Sequence, residues 1–381
     1  MNRDTMGQSL TLTLFGESHG PAVGCVVQGL APGLEIDLDF MARQLQRRKG
    51  AAALSTGRRE ADAPQILSGA YRGRTTGTAL CLLIPNQDTH SKDYGSLWDT
   101  PRPGHGDYTG RVKYQSYNDP RGGGHFSGRL TAPIVAAGSI LLKLLEGKGV
   151  RVGTRLKQVG TAVDPTAFAL GQAPCESQLT ALSARAFPTL SPQAGEAMEG
   201  EILRARQAGD SVGGILETAV TGLPPGLGEP FFASVESQLA ALLFSIPGVK
   251  GLEFGSGFRL AAMQGSQAND PFRMEAGKVV TATNHNGGVN GGITNGMPLL
   301  FSTAVKPTPS IYQPQATVDL AAGENATLQI QGRHDPCIAH RAAAVQDCLT
   351  ALCLGDLLNQ ALGLAWQQGA GWPKEAPWNT D

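Results

Sequence analysis

Four short segments rich in glycine, histidine and arginine interrupt the hydrophobic periodicity of this chain and limit how it can fold. They are GESHG at 16–20, RPGHGDY at 102–108, RGGGHFSGR at 121–129 and GRHDPCIAHR at 332–341. Because glycine reaches backbone conformations that other residues avoid, such segments favour turns and loops over the interiors of helices or strands. Loops that carry histidine and arginine on a glycine backbone often bind anionic ligands. The sequence therefore predicts short structural elements whose loops converge on an anion site.

Composition limits the class of protein and its partners. The chain has 381 residues, of which 41% are hydrophobic and 17% are charged, so it has ample material for a core. Its 31 Lys+Arg and 32 Asp+Glu leave a net charge of −1, so no overall field attracts nucleic acid or a membrane. An anion site must therefore be built by local clustering of cations.

The cysteines and the N-terminus indicate the compartment. The six scattered cysteines show neither paired zinc spacing nor the density of a disulfide scaffold. The N-terminus lacks the apolar core of a secretory signal. No stretch reaches the ~18 apolar residues of a membrane span. We expect a cytoplasmic protein with buried thiols.

Hydrophobic periodicity predicts a mixture of strands and helices. The predicted strands are Ser9–Leu14, Cys25–Val27, Ala79–Ile84, Gly214–Val220 and Leu299–Val305. The predicted helices are Leu38–Lys49, Ala132–Glu146, Ser234–Phe244 and Ala342–Ala361. Because we find no internal repeat and no clear linker, we expect one α+β domain over residues 1–381. A helical excursion at 187–210 and a frayed C-terminal tail complete this prediction.

The segment RGGGHFSGR is a candidate phosphate cradle. It precedes the helix that begins near Ala132, so its backbone N–H groups can converge on the positive end of that helix. Arg121, Arg129 and the Ser127 hydroxyl add side-chain donors. A plain connecting loop remains the alternative for this segment taken alone.

A basic cluster is the second candidate for anion binding. Six cations lie in a stretch with no acid between Met41 and Arg59: Arg43, Arg47, Arg48, Lys49, Arg58 and Arg59. The helix dipole accounts for cations in the last turn of a helix but not for Arg58 and Arg59. Arginine suits phosphate and carboxylate because its guanidinium pairs bidentately with both.

The sequence also excludes several familiar sites. It contains no H-E-x-x-H, no Walker A motif and no strand-linked G-x-G-x-x-G, so a P-loop or dinucleotide fold has no support. The carboxylates near the seven histidines do not fall at metal spacing. We therefore expect no metal, since a metal site would need residues that are distant in sequence.

In their order along the chain, these motifs resemble those of the chorismate synthase family. The matching blocks are GESHG at 16–20, RR at 47–48, STGRRE at 55–60, RPGHGDYTG at 102–110, RGGG at 121–124, SIPGVKG at 245–251, NHNGGVNGGITNG at 284–296, KPTPS at 306–310 and GRHDPC at 332–337. They span nearly the whole chain, and chance agreement of all nine is implausible.

The resemblance implies a fold and a reaction. The family fold is a single α+β sandwich with helices layered between antiparallel sheets, assembled as a homotetramer. Its members eliminate phosphate from 5-enolpyruvylshikimate 3-phosphate in a 1,4-anti reaction that yields chorismate, the last common step towards the aromatic amino acids. They require reduced FMN although the reaction has no net redox change. Burying these anionic ligands without partners would be prohibitive, which agrees with the arginine-rich loops.

The resemblance also assigns residues to the two ligands. Arg48, Arg102 and Arg129, together with His19, resemble the substrate-anion ligands. A larger set is placed around the flavin: His125, Ser127, Pro247, Gly248, Gly287, Lys306, Pro307, Thr308, Pro309, Ser310 and Arg333.

Three side chains are hypothesised to be catalytic. His19, as the cation, protonates or hydrogen-bonds the departing phosphate. His105 stands near the N1/O2 edge of the flavin and stabilises its negative charge. Asp335 takes a proton from flavin N5, so that N5 can accept the substrate proton. For Asp335 an ordinary N-cap at the start of a helix is the alternative reading.

The sequence departs from the usual family pattern in three places. The run Ala51–Ala53 stands where many members have an arginine, so one anion contact is missing or supplied by Arg58. RPGHGD carries Gly106 where alanine is usual. After the triple glycine, the usual Arg-Ser-Ser-Ala-Arg is replaced by residues 125–129, His-Phe-Ser-Gly-Arg. His125 can still meet a phosphate as the cation, although near neutral pH it carries that charge less reliably than an arginine.

Two other functions stay open. One is a metal-dependent phosphohydrolase that uses His19, His105, His334 and Asp335, and it would be sensitive to EDTA rather than to flavin. The other is a catalytically inactive protein that binds anions or flavin. Because no reductase domain is visible, we expect reduced FMN to come from an external flavin reductase, although some family members use NADPH themselves.

Overall fold

The computed structural model of the chain describes residues 4–51, 54–55, 61–87, 98–169, 174–330, 334–374 and 376–378. Its strands are β1 (Thr5–Met6), β2 (Thr11–Gly16), β3 (Ala22–Gln28), β4 (Gln65–Ser68), β5 (Ala70–Tyr71), β6 (Arg74–Thr75), β7 (Leu80–Pro85), β8 (Arg151–Val159), β9 (Ala162–Val163), β10 (Gly214–Thr221), β11 (Val249–Phe254), β12 (Phe272–Glu275), β13 (Lys278–Thr281), β14 (Val289–Asn290), β15 (Ile293–Thr294), β16 (Leu299–Val305), β17 (Gln315–Asp319) and β18 (Glu324–Leu328). Its α-helices are α1 (Leu38–Lys49), α2 (Asp107–Lys113), α3 (Thr131–Gly147), α4 (Pro174–Leu182), α5 (Pro192–Gln207), α6 (Val235–Leu243), α7 (Gly265–Ala268) and α8 (Ala339–Leu362).

Two five-stranded antiparallel sheets enclose a layer of helices. The first sheet has the order β1-β2-β3-β7-β4 and the second β11-β16-β10-β8-β9. Helix α3 packs on β3 and β7 of the first sheet, and α8 packs on β8 and β10 of the second. Because α1, α3 and α8 also pack on one another, the predicted α+β sandwich is confirmed.

The ends of α1 follow from its sequence. The side chain of Asp37 accepts a hydrogen bond from the N–H of Phe40 at 2.8 Å and so caps the first turn. At the other end Gly50 has a φ of 79°, and its N–H bonds the carbonyl of Arg47. The helix therefore has the predicted bounds, and its last turn presents arginines in a fixed direction.

The central helices approach each other closely. A Cβ added at Gly138 of α3 would lie 2.4 Å from the Cβ of Cys348 on α8, so only glycine permits this packing. The segments Gly128–Gly147 and Ala339–Gln367 are long and apolar enough to cross a membrane by length and composition alone. Most of each lies buried inside the fold, which is typical of core helices. Neither segment is an unbroken run of about 18 apolar residues, because Gly138 interrupts the first and Asp347 the second.

The outer face of the second sheet carries a smaller helical layer. Helix α4 packs on β8, and a cluster of Phe168, Leu179 and Ala219 fills the space between them. The polar segment 187–210 contains α5, capped by Ser191, whose Met198 and Ile202 join the main core. The single-domain organisation and the frayed tail stay predictions, although the rings of Trp372 and Trp378 contact each other edge to face.

Candidate functional site

A large cavity opens beside the first sheet and the last turn of α1. Its volume is about 1490 Å³, above the ~300–1,000 Å³ common for a single ligand site. Its wall combines cations with an apolar side that includes Leu12, Leu14, Ile134 and Leu349. The space therefore suits two ligands side by side, one strongly anionic and one with an apolar ring system.

Most of the residues predicted from the sequence line this one cavity. They are His19, Arg48, His105, His125, Ser127, Arg129, Pro247, Gly248, Lys306, Pro307, Thr308, Pro309, Ser310 and Asp335. Loops from distant parts of the chain are thus brought together, as the sequence predicts for an anion site.

The triple glycine holds His19 through the shape of its backbone. Gly122, Gly123 and Gly124 have φ values of 61°, 81° and 52°, a region that L side chains rarely adopt. A Cβ at Gly122 would lie 2.5 Å from Cδ2 of His19, and one at Gly124 would lie 2.0 Å from the carbonyl oxygen of Asp119. The segment is therefore a fixed turn whose backbone packs against the His19 ring.

His105 is oriented by a carboxylate behind it. Its Nδ1 lies 2.6 Å from Oδ1 of Asp107. Nη2 of Arg102 also lies 3.1 Å from this nitrogen, but it donates at the shorter distance of 2.7 Å to Asp107. Because the carboxylate only accepts hydrogen bonds and is the nearest group, Nδ1 carries the hydrogen, and Nε2 is left for the cavity. Burial alone would raise the pKa of Asp107, but hydrogen bonds from Arg102 and His105 outweigh it and hold that pKa far below its usual range. Asp107 therefore stays ionised.

Arg102 lies behind His105 rather than on the cavity wall. Its Nε and Nη2 donate to the two oxygens of Asp107, each at 2.7 Å, and its Nη1 donates to Oγ of Ser310 at 3.2 Å. Among the residues that the structure describes, it is not one of those that line the cavity. Its geometry is that of a group that positions Asp107, which differs from the predicted substrate contact.

Arg48 and Arg129 meet at a carboxylate that the sequence analysis did not single out. Nη2 of Arg48 lies 2.9 Å from Oδ2 of Asp62, and Nη1 of Arg129 is paired with Oδ1. Arg129 also donates from Nε to Oδ1 of Asn86 at 2.8 Å. Burial alone would raise the pKa of Asp62, but the two guanidinium groups outweigh it and hold the pKa below its usual value. The two arginines thus share one buried counterion.

Arg48 keeps its charge but does not use all of its donors. Burial, together with the nearby charges of Arg341 and Arg129, lowers its pKa to about 10, against the opposing effect of Asp62. Its Nε is buried and has no hydrogen-bond partner among the described residues. The hydroxyl of Thr308, another lining residue, is likewise buried without a hydrogen-bond partner among the described residues. Unsatisfied buried donors on a cavity wall indicate a site for ligand oxygens.

Asp335 is paired with an arginine rather than capping a helix. Its Oδ2 bonds Nη1 of Arg341, whose Nε donates to the carbonyl of Arg48 at 3.1 Å. Helix α8 begins with Ile338 as its N-cap, and no side chain caps it. The alternative reading of Asp335 as an N-cap residue is therefore not what the structure shows.

His125 and Ser127 make contacts within the protein. The two ring nitrogens of His125 lie 2.9 Å from the carbonyl oxygen of Gly16 and 3.1 Å from Oδ1 of Asp4. Oγ of Ser127 donates to Oγ of Ser18 at 3.2 Å. Both residues line the cavity, but the ring of His125 already links Asp4, just before β1, to the end of β2, so a flavin contact by its imidazole stays a prediction.

One predicted flavin contact lies elsewhere, and another is outside the described residues. Gly287 is not among the described residues that line the cavity. A Cβ there would lie 2.5 Å from the N of Gly255, so the glycine is needed for packing. Arg333 falls in 331–333, outside the described residues, as do Arg58 and Arg59.

The residues of the phosphohydrolase alternative do not assemble into a metal site. The part of the chain that the structure describes contains no group of three or more His, Cys, Asp or Glu placed to hold a metal ion. The ring of His334 packs on Tyr312 at a centroid distance of 5.3 Å. The geometry therefore gives this alternative no support.

Three site residues escaped the sequence reading. Asp62 is an acid that follows the acid-free run of cations, Asp107 lies two residues after His105, and Arg341 follows the second histidine of GRHDPCIAHR. Asp107 and Arg341 carry a charge opposite to that of a predicted residue a few positions away, and a search for nearby counterions could have found them. Asp62 lies 14 residues from Arg48, and only the fold brings the two together.

Comparison with known proteins gives a consistent result. Residues 10–358 match the family model described as chorismate synthase. Chorismate synthase of Thermococcus kodakarensis is 49% identical over 356 residues, covering 92% of this chain and 96% of the relative. That of Korarchaeum cryptofilum is 42% identical over 363 residues, covering 95% and 99%.

A solved structure agrees with the fold. A chain titled "Crystal Structure of Chorismate Synthase" superposes with a TM-score of 0.72 at 25% identity and covers 94% of both chains. The sequence relatives and the structural match thus span the elements that build the cavity.

Proposed function

The chain belongs to the chorismate synthase family, and from this premise we propose roles for its residues in the conversion of 5-enolpyruvylshikimate 3-phosphate to chorismate. The enzyme is a lyase of the shikimate pathway. One observation carries the assignment of roles: a single cavity is lined by Arg48, Arg129, Lys306 and Arg341 together with His19 and His105. A substrate with one phosphate and two carboxylates needs such a concentration of cations.

His19 is the proposed general acid. It lies on the cavity wall against the backbone of Gly122, so its ring cannot retreat on that side. As the cation, its imidazolium donates a proton or a hydrogen bond to the oxygen of the departing phosphate. General-acid catalysis of this kind typically contributes ~10²–10⁴ in rate.

His105 acts with two supporting residues. The carboxylate of Asp107 fixes the hydrogen on Nδ1, so Nε2 can donate to or accept from a group in the cavity. Arg102 keeps that carboxylate in place. We assign His105 to the stabilisation of negative charge that develops beside it, and Asp107 and Arg102 to its positioning.

Asp335 is the proposed proton acceptor. Its carboxylate lines the cavity and is held by Arg341. Because Arg341 is in turn fixed on the carbonyl of Arg48, the acceptor and the substrate-binding arginine form one connected unit. A carboxylate oxygen of Asp335 would accept the proton that the elimination releases.

The cavity fits reduced FMN as the cofactor. The buried, unpartnered Thr308 hydroxyl and the Lys306 ammonium suit the FMN phosphate, and the apolar side of the wall suits a flat ring. When bound, reduced FMN supplies an electron-rich ring that assists cleavage of the allylic C–O bond. The residues of KPTPS, with Pro247 and Gly248, are the groups that we assign to holding it.

Assembly, reduction and location remain parts of the proposal. Family resemblance supports a homotetramer, an external flavin reductase as the source of reduced FMN and a cytoplasmic location. A test for the reductase is to add NADPH and oxidised FMN to the purified protein under anaerobic conditions. Bleaching of the flavin absorbance without a second protein would contradict dependence on an external reductase.

The assay for the function is anaerobic turnover of 5-enolpyruvylshikimate 3-phosphate with dithionite-reduced FMN, following chorismate and phosphate together. We expect equimolar products with reduced FMN, none with oxidised FMN, and no effect of EDTA. His19→Ala and His105→Ala should each lower kcat by ~10²–10⁴. Rates near that of the unmodified enzyme in both variants would remove the two assignments, and loss of activity on EDTA treatment would favour the phosphohydrolase.

A further inference from the structure

The carboxylate between the two cavity arginines is placed where an anionic ligand would bind. Asp62 is fully buried, lines the cavity, and gives one oxygen to Arg48 and the other to Arg129. Nζ of Lys49 lies 4.0 Å from the same carboxylate. Three cations are therefore arranged around one anion that belongs to the protein.

The arrangement is incomplete in a way that indicates a ligand. Arg48 uses Nη2 for Asp62 and Nη1 for Thr131 at 3.2 Å, while its buried Nε has no partner among the described residues. The Nε–Nη2 edge of a guanidinium is an edge that binds two oxygens of a carboxylate or phosphate. Asp62 supplies only one of those oxygens, so half of the edge is left for a ligand.

We propose that Asp62 is an internal counter-anion that occupies part of the substrate-anion site in the empty enzyme and thereby sets how tightly that site binds phosphate and carboxylate groups. This inference rests on the proposed function for the identity of the substrate, but not for the anion binding itself. Without Asp62, two buried guanidinium groups would face each other with no charge between them. With it, the empty enzyme is stabilised and an incoming anion must share or displace a carboxylate.

A role in charge competition makes the opposite prediction from a role in holding the arginines in place. If Asp62 competes with the ligand, its neutralisation strengthens anion binding. If it only positions Arg48 and Arg129, its neutralisation weakens anion binding. The sign of the change therefore separates the two roles.

Asp62→Asn is the most conservative test. Asp62 has a φ of 51°, and Asn tolerates this left-handed region as well as Asp does. We measure the affinity of the full-length, flavin-free protein for inorganic phosphate by calorimetry, and then KM and kcat with reduced FMN. We expect phosphate binding to become roughly tenfold tighter, about 1.4 kcal/mol, KM for the substrate to fall, and the Tm without phosphate to fall.

The control is Glu275→Gln, which changes the net charge equally. Glu275 pairs with Arg273 at 3.1 Å, both side chains are exposed, and neither residue is among the described residues that line the cavity. Phosphate affinity should stay within twofold in this variant. Unchanged or weaker phosphate binding in Asp62→Asn would overturn the proposal, as would an equal tightening in both variants.

A charge-balanced pair covers the case in which Asp62→Asn does not fold. Arg129→Gln and the double variant Arg129→Gln/Asp62→Asn are compared for phosphate affinity. The double variant should bind phosphate several-fold more tightly than Arg129→Gln alone, and equal or weaker binding would overturn the proposal. Because phosphate binding needs neither flavin nor turnover, failure to form chorismate would count against the proposed function and leave this result standing.

Discussion

Three arginines on helix α1 lie in three different surroundings. Arg43 is exposed and lies over the ring of Phe40. Arg47 points into the core, where it donates to Asp347 at 2.9 Å and to Oε1 of Gln44. Arg48, the next residue, faces the cavity and keeps a buried Nε without a partner in the described part of the chain.

The difference lies in how completely each guanidinium is satisfied. Arg47 also reaches the carbonyl oxygens of Leu182 and Arg185, so its donors are used for structure. Arg48 is equally buried, yet one of its donors is left for something that enters the cavity. Burial and an ion pair are thus common to both residues, and only the unused donor distinguishes a binding residue from a structural one.

The same contrast recurs on α8. His340 is buried against Phe187, while the next residue, Arg341, faces the cavity and holds Asp335. In both pairs the first residue belongs to the core and the second to the site. A helix that runs along the cavity rim changes surroundings from one residue to the next, because successive side chains are about 100° apart.

The largest expected effect is on the core arginine. Arg47→Leu leaves Asp347 buried without its cation, so the free energy of unfolding should fall by about 3–5 kcal/mol. Urea denaturation followed by circular dichroism measures this loss. The double variant Arg47→Leu/Asp347→Leu should recover most of the stability. Equal stability of the single and double variants would show that the ion pair is not what holds this part of the core.

The next effect is the response of the buried histidine to acid. Burial, together with the charge of Arg341 and against that of Asp335, lowers the pKa of His340 from 6.5 to about 4. Between these values the unfolded chain binds a proton at this ring and the folded protein does not. The free energy of unfolding should therefore fall as pH drops through this window, by about 3 kcal/mol in total.

The matched variant for this effect is His340→Gln, which cannot titrate. Denaturation curves between pH 7 and pH 4 should show a shallower loss of stability than in the unmodified protein. The same pH slope in both proteins would rule out His340 as the acid-sensitive group.

A smaller effect is expected for the cavity arginine. In Arg48→Leu, Asp62 keeps Arg129 as its partner, so the fold should lose less than in Arg47→Leu. Ligand binding loses a charged hydrogen bond, about 1.5–3 kcal/mol, which raises KM for the substrate roughly 10- to 150-fold. Anaerobic kinetics measure the rise in KM, and calorimetry measures the loss of phosphate affinity. An unchanged KM would remove Arg48 from the substrate site.

The smallest effect is expected for the exposed arginine. Arg43→Ala should change the free energy of unfolding by no more than about 0.5 kcal/mol and leave KM and kcat as they are. The same urea and kinetic measurements apply. A change in KM comparable to that of Arg48→Leu would mean that the charge of the whole helix, rather than the unused donor, governs binding.

Elements with local signals could be predicted from the sequence. Helix α1 has its predicted bounds because Asp37 marks its start and Gly50 marks its end. Strand β8 was missed because its buried side includes polar residues. Thr154 bonds Asp347 at 2.6 Å, and Arg155 pairs with Glu217 at 2.7 Å. Such pairs form only after strands and helices distant in sequence have met.

The site residues also divide into those that the sequence indicates and those that only the fold reveals. Residue types and motifs were enough to select His19, Arg48 and Asp335 as members of one cavity. They were not enough to separate Arg48, which lines the cavity, from Arg102, which supports Asp107, because both are buried cations. That distinction depends on which acid each guanidinium meets, and Asp62 reaches its two arginines only in the folded chain.

The turn at 122–124 has a consequence for how this enzyme can diversify. His19 rests on one glycine of the turn, a Cβ on the next would come within 3.3 Å of Cε1 of His105, and the third closes on a carbonyl oxygen. A single added methyl group would press on an imidazole at either of the first two positions and on the backbone of Asp119 at the third. We therefore expect relatives of this chain with another substrate preference to differ on the other walls of the cavity and to keep the three glycines.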